Sequence, residues 1–106
     1  MGWVFLFVAG FSEIIFAVSL KYNEGFTKLY PSIVTCISGG ASFYLLMLAI
    51  KTLPLGTAYA IWTGIGAVGV AILGIFLFKE SMEWFRIISI SLIVVGIVGL
   101  KLTHID

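Results

Sequence analysis

Four apolar runs, at residues 3–20, 30–50, 58–78 and 84–102, make up most of this 106-residue chain, and the connections between them are short. Runs of about twenty apolar residues match the hydrocarbon thickness of a bilayer. Composition agrees: 61% of residues are hydrophobic and only 10% are charged, whereas an ordinary globular domain carries about 25% charge. A soluble bundle would show a polar face on every helix, and these runs have none. The pattern predicts a single-domain, all-α integral membrane protein with four transmembrane helices. Six Lys and Arg against five Asp and Glu leave no basic stripe, so nucleic acid is excluded as a partner. A cleaved leader would start with a basic segment. Nothing basic precedes Trp3, and Glu13 interrupts the run, so the first run is expected to be retained.

Glu13 is the residue that composition does not explain. It lies near the middle of the first run, where an ionisable group costs roughly 2.5 to 3.5 kcal/mol to insert and is expected to face a protein interior or a wet cavity. Helical spacing puts Gly10, Phe16 and Ala17 beside it. That face is small around the carboxylate, with one aromatic ring.

Along the chain, residues 21–28 form a short loop with Lys21 and Lys28, and Pro31 is placed in the first turn of the second run. The middle of that run, Ser38-Gly39-Gly40-Ala41-Ser42, is small enough for close helix contact in lipid. Ser42 also offers a hydroxyl to a buried site. Cys36 reads as packing. In the third run Tyr59 and Trp62 share a face. Its glycines 64, 66, 69 and 74 form a smooth surface, and the apparent G-x-G-x-x-G at 64–69 lacks the strand and soluble helix that a dinucleotide site needs. The fourth run is strictly apolar only over 87–100, so Arg86 and Lys101 are expected to snorkel at its ends. Trp84 suits an interfacial anchor. Ser89, Gly96 and Gly99 make a small-residue stripe, read as a dimer interface.

Loops one and three carry Lys21, Lys28, Lys79 and Arg86, against Lys51 and Lys101 on the other side. That weak bias favours termini outside and is compatible with insertion in both orientations. Four short helices do not readily enclose a pathway, but two copies do. Two Glu13 carboxylates facing one cavity would titrate as a coupled pair. Deprotonated, the pair attracts a cation; protonated, it does not. Competition at one alternating-access site is sufficient for antiport, and the rings of Tyr59 and Trp62 add cation-attracting faces.

These residues resemble the small multidrug resistance family of bacterial transporters over essentially the whole chain. The resemblance rests on Ala9-Gly10-Phe11-Ser12-Glu13, on Lys21 with Gly25-Phe26-Thr27 and Pro31, and on Ala41-Ser42-Phe43-Tyr44. Above all it rests on Gly56-Thr57-Ala58-Tyr59-Ala60-Ile61-Trp62-Thr63-Gly64. It implies a multi-pass protein of the bacterial inner membrane, working as an antiparallel, dual-topology homodimer, with a heterodimer of paralogues as the alternative. Its substrates would be small organic cations and protons. Glu13 would be the shared site, lined by Ser42, Tyr59 and Trp62, with the fourth helix in the dimer contact.

Thr63, the 51–57 connection, Lys79-Glu80 and Gly99-Leu100-Lys101 look like the guanidinium-exporting branch. That branch typically has Trp three residues after the glutamate. Phe16 keeps a ring there but loses the N–H donor, which implies selectivity relaxed toward greasy substituted cations such as quaternary ammonium, or a subunit that pairs with a different relative.

A second reading is a membrane scaffold or regulatory subunit, in which Glu13→Gln would keep function. An enzyme is not expected. Glu13 has no His, Cys or Asp partner nearby in sequence, His104 lies in the tail, and no metal-ligand spacing exists. No cofactor or metal is expected.

Overall fold

The computed structural model describes residues 2–80 and 82–103; His104 lies outside them. All of its regular structure is helical: α1 (Gly2–Tyr22), α2 (Leu29–Ala49), α3 (Leu55–Leu77) and α4 (Trp84–Thr103). At 1.5 Å per residue each is about 30 Å long, the thickness of a hydrocarbon core. A helix satisfies its own backbone, which lipid demands. The chain is therefore a four-span membrane protein.

The third helix opens at Leu55, ahead of the apolar run that starts at Ala58. Pro54 stands just outside it with φ −59°, already close to helical, and its carbonyl accepts the Ala58 N–H at 2.9 Å.

The helices stand in a row and do not close into a bundle. α1 packs on both α2 and α3, α4 packs on α3 alone, and α2 barely meets α3. The Cα trace measures 42 × 35 × 16 Å, a slab. Gly2 lies against Thr52 and Leu53, and the Lys101 ammonium sits 4.4 Å above the Trp3 ring. The start of α1, the α2–α3 connection and the end of α4 thus share one end of the slab. At the other end Tyr22 meets Phe78, ring centroids 5.4 Å apart.

The apolar core lies toward the first of these ends, with Leu6, Ala9, Leu46, Ala49, Ile61 and Trp62 buried in it. The buried stripe of α2 is Thr35, Ser38, Gly39, Ser42, Leu46 and Ala49, a helical spacing that puts the small patch against α1. That register leaves Cys36 on the outside. The expected packing role of Cys36 is corrected here: it is exposed.

At the far end a polar knot replaces the apolar core. Ser19 Oγ lies 2.8 Å from Thr35 Oγ1, to which Asn23 Nδ2 donates at 3.1 Å. The Asn23 side-chain carbonyl accepts the Phe26 N–H, and its backbone carbonyl accepts those of Thr27 and Lys28. Asn23 thereby holds a loop in which Glu24, Gly25 and Phe26 all have positive φ, at 49°, 72° and 68°.

The basic residues that flank the strictly apolar part of α4 find partners within the protein. Arg86 donates to Glu80 at 2.7 Å and to the Ala71 carbonyl at 3.0 Å. Lys101 takes the Trp3 ring. Trp84 opens α4 and is 80% exposed, as an interfacial anchor would be.

Candidate functional site

α1 brings Glu13 to the edge of the apolar core, half-buried, with its carboxylate over Gly66 of α3. A Cβ on Gly66 would fall 2.7 Å from the carboxyl carbon, so the missing side chain is the floor on which the acid rests. Glu13 Oε2 is buried, with no hydrogen-bond partner among the described residues. An unpaired buried acceptor is costly. It fits a group whose partner is a proton or a cation.

One turn toward the N-terminus, a short hydrogen-bond chain crosses three helices. Trp62 Nε1 donates to Ser42 Oγ at 2.8 Å, and Ser42 Oγ donates to the Ala9 carbonyl at 2.8 Å. Ser42 and Trp62 are both buried. The serine hydroxyl expected to serve the site is thus already engaged with α1 and α3, and it fixes the indole. Ala9 and Glu13 are four apart on α1, so this chain and the carboxylate share a face.

Trp62 carries a ring cluster. Tyr59 lies 5.4 Å from it, tilted by 50°, and Phe43 lies 5.3 Å from it, tilted by 55°. The two aromatics of α3 differ in setting: Trp62 is 6% exposed and Tyr59 54%. No hydrogen bond joins Tyr59 to Glu13 among the described residues. Thr63, beside Trp62, is exposed.

The neighbours of Glu13 on α1 are divided between two helices. Gly10 receives Ile65 of α3, whose nearest atom lies 2.8 Å from the place of a Cβ. Phe16 turns the other way, its ring edge filling the equivalent space on Gly39 of α2. Ala17 is half-buried. Gly10 and Phe16 are therefore spent at least partly on holding α1 between its neighbours, and Glu13 is held between them.

Sequence reasoning missed Gly66 and Phe43. Gly66 stood among four glycines with nothing to mark it, and Phe43 was one of many apolar aromatics. The knot of Ser19, Asn23 and Thr35 was also missed. Its signal was available in two hydroxyls placed inside otherwise apolar runs. Ser89, Gly96 and Gly99 lie on the exposed side of α4, with no other described element within 4 Å of a Cβ placed on either glycine. No group of three or more metal-ligating side chains occurs among the described residues.

Comparison with known proteins supplies the rest. The family described as Small Multidrug Resistance protein matches residues 1–93. A guanidinium exporter of Yersinia pseudotuberculosis is 57% identical over 102 residues, covering 96% of this chain and 98% of its own. One from Proteus vulgaris is 58% identical over 102 residues with the same coverage. Another, from Citrobacter freundii, is 54% identical over 105 residues, 98% of this chain and 100% of its own.

Proposed function

The chain belongs to the small multidrug resistance family, and from that premise we propose that it exports guanidinium-type cations in exchange for protons, with Glu13 as the exchanging group. Family membership makes it a multi-pass transporter of the bacterial inner membrane, and not an enzyme. The observation that carries the proposal is the Glu13 carboxylate: set at membrane depth, resting on Gly66, with a buried oxygen that finds no donor among the described residues. Such an acceptor is satisfied by a proton in one state and by a cation in the other. Ser42, Tyr59 and Trp62 line the site, with the Trp62 indole held by Ser42 and the Tyr59 ring left accessible.

The working unit is a homodimer in which two Glu13 carboxylates face one cavity. A slab 16 Å thick does not surround its own acid. α4 has no buried residue and packs on α3 alone, so Ser89, Gly96 and Gly99 are open to a second copy. Insertion in both orientations would bring two copies together antiparallel. The near-balanced basic residues, four against two, permit it.

The test is transport in proteoliposomes holding this protein alone. Guanidinium is compared with a bulky quaternary ammonium, with and without a proton gradient, and with Glu13→Gln as control. Proton-driven movement of guanidinium, lost in Glu13→Gln, is expected. Movement of both cations would assign Phe16 the relaxation of selectivity. Transport that survives Glu13→Gln would sink the exchange mechanism and favour the scaffold reading. If neither cation moves, coexpression with a paralogous subunit decides whether a partner is required.

A further inference from the structure

On the side of α1 away from Glu13, the divergence of α2 and α3 leaves a groove of about 630 Å³. Tyr22 is nine residues beyond Glu13, about two and a half helical turns, and so on the opposite side of α1. The groove has Phe11, Ile15 and Val18 of α1 as its floor, with Val34 of α2 and Leu73 of α3 as its walls, and its lining is almost wholly apolar. From Phe11 to Tyr22 it runs about 16 Å, the depth of one leaflet's hydrocarbon.

At Tyr22, Tyr30 and Pro31 the groove passes into a second depression of similar size, and there the chemistry changes. This outer part holds Lys21, Lys28, Glu24 and Phe78. The Lys28 ammonium lies 3.5 Å from Glu24, in a pair exposed on both sides. An exposed pair of this kind contributes little and rearranges readily. Lys21 sits 5.5 Å above the Phe78 ring. Two tyrosines mark the junction, as aromatic belts do at a membrane surface.

We propose that this cleft is a binding site for one anionic phospholipid, with an acyl chain in the groove and the phosphate between Lys21 and Lys28. A lone apolar groove would not choose its occupant. This one is continuous with a mouth of two lysines to one carboxylate, which disfavours a transported cation and suits an acidic headgroup. A second copy is the other occupant to weigh. The proposed dimer uses the Glu13 side and α4, which leaves this face to lipid.

Native mass spectrometry of the detergent-purified full chain, exposed to equal amounts of a phosphatidylglycerol and a phosphatidylcholine with the same acyl chains, tests the proposal. Selective retention of the phosphatidylglycerol is expected, falling on the order of fivefold for each lysine removed in Lys21→Gln and Lys28→Gln. Val34→Trp, which fills the groove, should reduce retention of both lipids while helical content stays unchanged. Equal retention of the two lipids by the wild-type chain would overturn the proposal, as would undiminished selectivity in the double lysine variant. If Val34→Trp leaves lipid retention intact and instead converts the dimer to monomer, the groove is an interface between copies and the proposal fails. Retention is read without transport, so its failure leaves the cation-exchange reading untouched.

Discussion

Gly66 decides where the Glu13 carboxylate sits. Its hydrogen leaves room that even a methyl group would remove, since a Cβ there would lie 2.7 Å from the acid. Gly66→Ala is therefore expected to displace the carboxylate and cut proton-coupled transport severely while the helices persist. Transport in proteoliposomes, read beside circular dichroism of the same sample, checks this. Loss of helix content together with activity would instead mean that Gly66 serves packing. Asn23 acts at the same scale but on stability. It is fully buried, and removing its amide strands the Phe26 N–H and a bond to Thr35. Asn23→Ala should cost about 1–3 kcal/mol. Reversible unfolding in mixed micelles would measure it, with little change expected in the cation selectivity of the folded protein.

Among the elements, α4 differs from the other three. It has one packed side, where Ile97 and Ile93 approach the place of a side chain on Gly64 of α3, and among the described helices α3 is the one it packs along. Its ends are tied by Arg86 to Glu80 and by Lys101 to Trp3. A bulky residue should therefore act very differently on its two sides. Gly96→Leu is expected to leave the protomer folded and reduce the dimer, because no other described element comes within 4 Å of a new Cβ there. Gly64→Leu is expected to separate α3 from α4 and destabilise the protomer. Crosslinking in native membranes, compared with thermal stability in detergent, distinguishes the two outcomes.

For the molecule as a whole, orientation in the membrane is the open variable, and it is governed by charge. The end with loops one and three holds Lys21, Lys28, Lys79 and Arg86; the other holds Lys51 and Lys101. Lys51→Gln changes the basic ratio from four to two into four to one, which should fix those loops on the cytoplasmic side. A reporter fused after residue 106 should read both faces in the parent chain and predominantly the periplasmic face in the variant. If two opposed copies are needed, transport falls along with the minority orientation. Acidifying both faces should also slow exchange in the parent chain, since protonated carboxylates hold no cation. A rate insensitive to pH would count against Glu13 as the shared site.

The sequence by itself determined the solvent, the four spans and the acid. Apolar runs long enough to cross lipid leave the backbone only a helical solution, and a glutamate at that depth stands out by its cost alone. The motif around Tyr59 and Trp62 carried the family for the same reason: its residues are adjacent in the chain. Tertiary structure decided which inward-facing hydroxyls and rings meet. Ser42 is tied to Trp62 and Ala9, Phe16 goes to Gly39, and Gly66 is singled out from its neighbouring glycines only because Glu13 happens to lie over it. These contacts depend on the rotation and offset of one helix against another. Periodicity fixes the faces of a single helix, but not the register at which two faces come together. The open slab follows from the same cause: α2 and α3 part on one side of α1, and no local pattern in either helix specifies that angle.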